Sequence, residues 1–512
     1  MSAARAATVL AYHSRSKHAL DRYAAGPGTL DWETQPAAFR DWTGTSQTPL
    51  PRDISVADIT WNALPAARAP MQFNAANLGS LLRLCVGLTA WKEHAEARWS
   101  LRAHPSSGNL HPTETWLIAS GVTGLADGLY HYHNLHHALE RRAWGGSTGN
   151  GVCLGFSSIH WREAWKYGER AFRYCQLDMG HVLAAVSYAA ALHGWQARLL
   201  NRDSAAVAHD LGLDRTDDFA GVEAEEAEVM VALQAAATSL PEPHWQHWSG
   251  KPSLLDARPL YQWPVIEEIA AATRGAPPTT AAAPAPAAII NDDGTDIRAA
   301  QVLLKRRSAQ AFDGQSVLPY AVLHRILSAL LPGGSPVWKL WTHPARVHPV
   351  LLVHRVADIA PGVYVMPRSD TARDSLQTAF RASFSWQPAD TELPLFQLVA
   401  ARAGKTARTL SCHQDIATQC ALTFIMVAEF AAPIAADPAA YRHLHWEAGM
   451  LGHIITLQAE AAEWRGTGIG CFFDDTVHEV LGIKSDAYQV IYHYAVGMAL
   501  DDPRIATAPA YP

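Results

Sequence analysis

The chain of 512 residues lacks most features that would commit it to a special environment. No apolar run reaches the ~20 residues that cross a bilayer. The N-terminal stretch MSAARAATVLAYHSRSKH lacks the apolar core and cleavage site of a secretory signal. A membrane role is therefore not expected, and a cytoplasmic location is. Neither sign of charge dominates. The 41 Lys and Arg against 48 Asp and Glu give a formal net charge of −7 with mixed signs throughout, which makes no electrostatic case for nucleic acid. There are only six cysteines (Cys85, Cys153, Cys175, Cys412, Cys420 and Cys471) and no C-x-x-C pair. That scarcity excludes a disulfide framework or zinc ribbon and predicts reduced, mostly buried thiols. A Rossmann fingerprint is missing as well. Gly466-Thr467-Gly468-Ile469-Gly470 is G-x-G-x-G, with no strand before it and no helix with an acidic ribose ligand after it.

What is present is a repeat. Trp165–Trp195 reads WKYGERAFRYCQLDMGHVLAAVSYAAALHGW, and Ala440–Trp464 reads AYRHLHWEAGMLGHIITLQAEAAEW. Asp178 aligns with Glu447, Gly180 with Gly449 and Trp195 with Trp464, because 447 − 178 and 464 − 195 both equal 269. A spacing kept through so long a helix argues for duplication. The continuations differ. Arg-Gly-Thr-Gly-Ile-Gly follows Trp464, read as a glycine-rich turn, whereas Gln-Ala-Arg-Leu-Leu follows Trp195.

The order of elements supports two halves. In the first, Leu81–Trp91 is predicted helical, Arg102–Pro112 a loop, and Thr115–Ser120, Leu129–His133 and Glu228–Gln234 strands. Residues 274–290 are Ala/Pro-rich without balancing charge and read as a linker, leaving units 1–273 and 291–512. The second unit repeats the order, with a helix entered over Val302–Arg307 and another at Leu323–Leu331. Strands follow at Arg346–Val356, Gly362–Met366 and Tyr488–Val496. Helices and strands mix without regular βαβ alternation, which predicts an α+β class.

Four motifs carry candidate chemistry. Arg306-Arg307-Ser308, read as opening a helix, offers two guanidinium groups, a hydroxyl and N-terminal amides to one phosphate; the alternative is a solvated basic helix start. Pro105-Ser106-Ser107-Gly108-Asn109 supplies donors in a tight loop, with an ordinary polar turn as its alternative. The glycines at 466, 468 and 470, flanking Ile469, let backbone approach a flat ligand because no Cβ intervenes. His131 and His133 share a strand face by alternation, but no nearby Cys or carboxylate completes a ligand set. A solvated hairpin is the expected reading there, and no metal is assigned.

Together these residues resemble the nitroreductase superfamily of FMN-dependent oxidoreductases, in its SagB/ThcOx-type branch. The marks are Arg306-Arg307-Ser308, Arg102 with Pro105-Ser106-Ser107-Gly108, Trp165–Arg170 with Arg173-Tyr174, and Gly466–Phe473. The resemblance implies helix-flanked sheets, normally in a dimer with FMN at the interface. It implies the phosphate on Arg306, Arg307 and Ser308, Arg102, Pro105, Ser106, Ser107 and Asn109 as further cofactor contacts, and Gly466, Gly468, Ile469 and Gly470 along the ring edge. Lys166 and Tyr167 resemble a proposed catalytic pair of azoline dehydrogenases, with Arg170 and Arg173 as the field that would favour a phenolate and Glu169 opposing it. This chain departs by being a tandem, so an intrachain pseudo-dimer with one composite site is expected. Positions aligned with Lys166 and Tyr167 are Ala435 and Ala436. The implied partner is a small-molecule or modified-peptide substrate. The rival readings are an NAD(P)H-dependent nitro or quinone reductase and a non-catalytic flavin-binding subunit. Further homo-oligomerisation is left open.

Overall fold

The computed structural model describes residues 2–64, 66–235, 239–277 and 297–511. Naming only the elements used below, the first half contains α1 (Ser2–Arg15), α2 (Ala75–Cys85), β1 (Leu88–His94) and β2 (Ala97–Arg102). It continues through β3 (Thr113–Ser120), β4 (Gly128–His133), β5 (Ala138–Trp144), β6 (Gly151–Ser158), α3 (His160–Tyr167), α4 (Ala171–Leu192), β7 (Gln196–Leu199) and β8 (Glu226–Gln234). The second half contains α5 (Ala299–Lys305), α6 (Tyr320–Leu330), β9 (Val347–Val353), β10 (Gly362–Val365), β11 (Phe396–Ala400) and β12 (Leu422–Glu429). It ends with α7 (Ala440–Glu460), β13 (Arg465–Ile469), α8 (Asp474–Leu481), β14 (Tyr488–Gly497) and β15 (Ala506–Pro509).

Each half builds one large antiparallel sheet, and six strands correspond one to one. Their order is β5-β4-β3-β6-β8-β7 in the first and β11-β10-β9-β12-β14-β13 in the second. Between the sheets lie α4 and α7, buried along almost their whole lengths, as helices apolar on every side must be. They cross where Gly180 meets Gly449. A Cβ on Gly180 would stand 2.9 Å from the Gly449 Cα and still nearer the Trp446 carbonyl oxygen. Only a pair of glycines lets two backbones approach so closely.

The halves also exchange their ends. β15, from the C-terminus, pairs with β1 of the first half, and α1 sends His13 to within 3.1 Å of Gln489 in β14. Buried ion pairs cross the same seam. Arg442 of α7 reaches Glu228 at 2.6 Å, and Arg173 of α4 reaches Asp474 at 2.7 Å. Arg274 and Gly275, at the start of the predicted linker, are bound to Glu226 and Ser204 and belong to the first body. Positions 278–290 of that linker lie outside the described residues.

Four expectations need correction. The stretch Leu81–Trp91 is not one helix: α2 stops at Cys85 and β1 begins at Leu88, around Gly87, where a Cβ would press on the Arg83 Cα at 2.8 Å. Arg306 caps the end of α5 rather than opening a helix, so the carbonyl end, not the amide end, faces Arg306-Arg307-Ser308. Gly466–Ile469 is not a turn but part of edge strand β13, the counterpart of β7. Cys412 and Cys471 are joined as a disulfide, against the prediction of six reduced thiols, while Cys85, Cys153, Cys175 and Cys420 are free and buried.

Candidate active site

A cavity of about 1030 Å³ opens between the halves. The first half contributes Arg102, Pro105, Ser106, Ser107, Asn109, Tyr167, Tyr174, Asp178 and His181. The second contributes Arg306, Arg307, Ser308, Gly468, Ile469, Gly470, Tyr492 and Tyr494. Of the residues predicted from sequence, Gly466 and Lys166 are not among those lining it.

Arg306 and Arg307 are held rigidly by neutral groups. Arg306 Nε donates to the Ala103 carbonyl at 2.8 Å and Nη2 to that of Arg102 at 2.9 Å, both at the end of the first-half hairpin. Its Nη1 is buried with no hydrogen-bond partner among the described residues. Arg307 Nη1 donates to Thr89 Oγ1 at 3.0 Å and to the Leu304 and Arg306 carbonyls. Burial, with Arg306 alongside, brings Arg307 down to about 10. Among the described residues neither guanidinium has a carboxylate within ion-pair distance, and the hydroxyl-bearing Ser308 beside them is exposed. A buried and a half-buried positive charge, one with a spare donor and with Glu460 as a nearby acid that is not ion-paired to either among the described residues, fit an anionic ligand such as a phosphate. In the first half, by contrast, Arg15 at the end of α1 is paired with Glu169.

The Ser-Ser loop serves the protein first. Ser106 Oγ donates to Asp178 at 2.7 Å, and the Ser107 amide and hydroxyl each donate to Asp178 Oδ1 at 3.0 Å. Asn109 donates its amide to the Ser100 carbonyl at 2.9 Å. The aligned Glu447 does the same job in the second half, accepting from the Arg346 and Val347 amides. The repeat therefore preserves a carboxylate on the central helix that anchors the loop before the sheet. Asp178 was visible in the sequence only as a marker of the duplication, yet it lines the cavity. Burial raises its pKa to about 7, against the lowering by Ser106 and Ser107. A folded pKa above the unfolded value of 3.8 means stability contributed below about pH 4 is lost as pH rises towards 7. The stability difference between wild type and Asp178→Asn should accordingly move against wild type by about 4 kcal/mol across that window, read by urea unfolding at each pH. A pH-independent difference would refute the buried-acid assignment.

Tyr167 and Lys166 stay close at the end of α3, but only Tyr167 lines the cavity. Tyr167 packs edge-on against Tyr174, ring centroids 4.7 Å apart, over Gly108. Lys166 Nζ instead lies 5.7 Å over the exposed Trp32 ring and 5.5 Å over the Tyr167 ring. Gly168 turns the chain here with φ 55°, its missing Cβ making room for the Ala25 carbonyl. Burial, then Glu163, Tyr174 and Asp178, push the Tyr167 phenol well above its usual value. Burial and these acidic neighbours favour the phenol over the phenolate that the resemblance implied. Arg170 and Arg173 do not supply its field, since both are spent on Asp474, and Glu169 is paired with Arg15.

Of the glycines at 466, 468 and 470, the last two line the cavity, and their missing Cβ atoms also make room for aromatic rings. A Cβ at 466 would meet the Tyr494 ring at 2.7 Å, and Cβ atoms at 468 and 470 would enter Tyr492 and Tyr174. The tyrosine rings lie on the Cβ side of these positions. His131 is not half of a metal pair. It sits between Glu114 at 2.9 Å and Glu140 at 2.8 Å, which raise it to about 9 although burial opposes. The predicted solvated hairpin is also corrected, as β4 is buried throughout. His133 and His136 bring ligand atoms within 4.8 Å of an Asp41 oxygen, but the 2.8 Å hydrogen bond from His133 to Asp41 already accounts for that contact.

Paired antiparallel sheets with a cavity at their seam define a nitroreductase-type fold. Residues 303–498 match the model described as the nitroreductase family, a similarity that lies within the second half of the chain. The whole chain is similar to a solved structure from Anabaena variabilis assigned as a nitroreductase. The two share 22% identity and a TM-score of 0.70 over 96% of this chain and 99% of the other, a likeness of fold. A curated relative, the trifolitoxin-processing protein TfxB of Rhizobium leguminosarum bv. trifolii, is 26% identical over 170 residues. That match spans 30% of this chain and 41% of the relative's length. Among the described residues no helix is long and apolar enough to cross a membrane.

Proposed function

We propose that the chain is an FMN-dependent oxidoreductase of the SagB/ThcOx type, folded as an intrachain pseudo-dimer with one composite site. The observation that carries this is the unpartnered, buried Nη1 of Arg306 at a cavity built from both halves. Arg306, Arg307 and Ser308 would hold the FMN phosphate, with the 105–109 loop and Gly468–Gly470 forming the adjoining walls. FMN, when bound, supplies the two-electron acceptor or donor. The protein's part is to place the substrate, exclude water and manage a proton. Tyr167 holds a proton on its phenol oxygen at neutral pH, and Asp178, with a pKa about 7, can release or take one behind the Ser106-Ser107 loop. Lys166, stacked between the Trp32 and Tyr167 rings, would act on Tyr167 through its charge rather than touch the substrate. The likeness to a toxin-processing protein favours a modified peptide, azoline-like, as substrate.

The test is flavin stoichiometry with two variants. Wild type should carry one FMN per chain. Arg306→Ala should weaken FMN binding by roughly 10- to 100-fold, the worth of one charge-assisted contact. Tyr167→Phe should keep FMN and lose turnover of the peptide substrate. Two FMN per chain, or full retention in Arg306→Ala, would refute the composite site. Unchanged NAD(P)H-driven reduction of nitroaromatics by Tyr167→Phe would favour a general reductase. Flavin that resists every donor would leave a binding subunit.

A further inference from the structure

Cys412 and Cys471 meet in the wall of the central cavity, together with Gln414. Cys471 directly follows Gly470 beyond the end of β13, and Cys412 lies two residues past the helix Gly404–Leu410. Their Cα atoms are 5.8 Å apart, an ordinary separation for a disulfide. The backbone on the 412 side is unusual. Cys412 and His413 both lie in the left-handed region, at φ 51° and 60°, where residues other than glycine are disfavoured. Such consecutive outliers mark a segment held by its surroundings and cluster at functional positions.

The same seam carries bonds that do not depend on sulfur. The Phe473 amide donates to the Leu410 carbonyl at 2.9 Å, Gln414 Nε2 to the Cys471 carbonyl at 3.3 Å, and Ser411 Oγ lies 3.1 Å from His493 Nδ1. If the sulfur bond opened, these contacts would keep the two thiols near each other, so that the pair could close again. The other four cysteines are buried away from the cavity, which leaves this pair as the accessible one among the described residues.

We propose that Cys412–Cys471 is a thiol–disulfide exchange site, opened and closed by small monothiols and their disulfides that enter through the cavity. In opening, a monothiol thiolate attacks one sulfur, the Cys412–Cys471 bond breaks, and the other cysteine leaves as thiolate. A second monothiol attacks the mixed disulfide and releases the small disulfide. Two monothiols are oxidised by two electrons, the cysteine pair is reduced by two, and both cysteines end protonated. Closure runs the same steps backwards from the small disulfide. Because the bond ties the end of β13 to the 411–414 loop, its state controls how firmly this side of the cavity is held. That last consequence rests on the proposed FMN site.

The exchange is tested on the full chain with glutathione as probe, varying the ratio of reduced to oxidised form. Free thiols are then trapped with iodoacetamide and mapped by peptide mass spectrometry. Reduced glutathione should label Cys412 and Cys471 together, and reversibly, with circular dichroism unchanged. The single variant Cys412→Ser should carry glutathione on Cys471. A pair that opens only on unfolding, or thiols that oxidised glutathione never closes, would overturn the proposal. Control of the cavity wall is read separately, as FMN release from the two forms, expected to be roughly threefold or more faster for the dithiol. Equal release would overturn that control. A chain that binds no FMN would refute the proposed flavin site, while the labelling result would stand or fall alone.

Discussion

Gly180→Ala should lower the melting temperature sharply, and Gly180→Leu should leave no cooperatively folded protein. Two effects oppose each other in the alanine variant. Alanine in the middle of a helix gains about 1 kcal/mol over glycine in propensity. Against that, its Cβ would lie inside contact with the Trp446 carbonyl oxygen and 2.9 Å from the Gly449 Cα. Those obstacles are backbone atoms of α7, not the ends of flexible side chains, so relief requires the two central helices to separate. Separation would loosen Trp446 Nε1 from Gln176 Oε1, now at 2.7 Å, and thin the core on both sides. Overpacking of this kind costs about 3 kcal/mol or more, which outweighs the propensity gain. Gly28→Ala is the control, because nothing stands within 4 Å of a Cβ there. Calorimetry decides the matter. If Gly180→Ala melted at or above wild type, as propensity alone predicts, the close crossing would be wrong.

The repeat was legible because it lives in one dimension. A constant offset of positions is preserved by any fold, so Asp178 and Glu447, or Gly180 and Gly449, could be paired without coordinates. Even the glycines' role at a helix crossing follows once both helices are known to be buried. What failed depended on neighbours distant in sequence. The run LLRLCVGLTAW fits a helix or a buried strand equally by composition, and only pairing with β2 and the C-terminal β15 makes its second part a strand. The glycines of β13 resembled a turn because strands rarely tolerate them. Their reason lies in Tyr174, Tyr492 and Tyr494, which need the space. Cys412 and Cys471 are 59 positions apart and share no local pattern. The site was partly legible in the same sense. Arginines, serines and glycines were found as motifs, but that Ser106 and Ser107 bind Asp178, and that Lys166 turns towards Trp32, follows from packing that motifs do not encode.

Asp474→Ala should destabilise the chain by about 3–5 kcal/mol, more than deletion of any exposed ion pair. Asp474 opens α8 in the second half and is fully buried. Its two oxygens take one arginine each from the first half, Arg170 at 2.9 Å and Arg173 at 2.7 Å, both buried. Its Oδ2 also accepts the His18 amide at 3.0 Å. Removing one carboxylate leaves two guanidinium groups in the interior, held only by neutral acceptors such as the Ser16 and His13 carbonyls. Breaking a buried pair from one side costs far more than the pair contributes when intact, which sets the size of the effect. Asp474→Asn should lose less, since the amide oxygen still accepts one arginine. The same clamp has a pH signature. Burial would raise the Asp474 carboxyl, but Arg170 and Arg173 hold it below 3.8. A depressed folded pKa gives stability that is present above the unfolded value and lost as pH falls through the folded one. Wild type should therefore lose its advantage over Asp474→Asn only below about pH 4. Urea unfolding of both proteins from pH 7 down to pH 3 measures this directly. A constant gap down to pH 3, or an alanine variant within 1 kcal/mol of wild type, would mean that Arg170 and Arg173 are solvated and that the halves are not locked at this point.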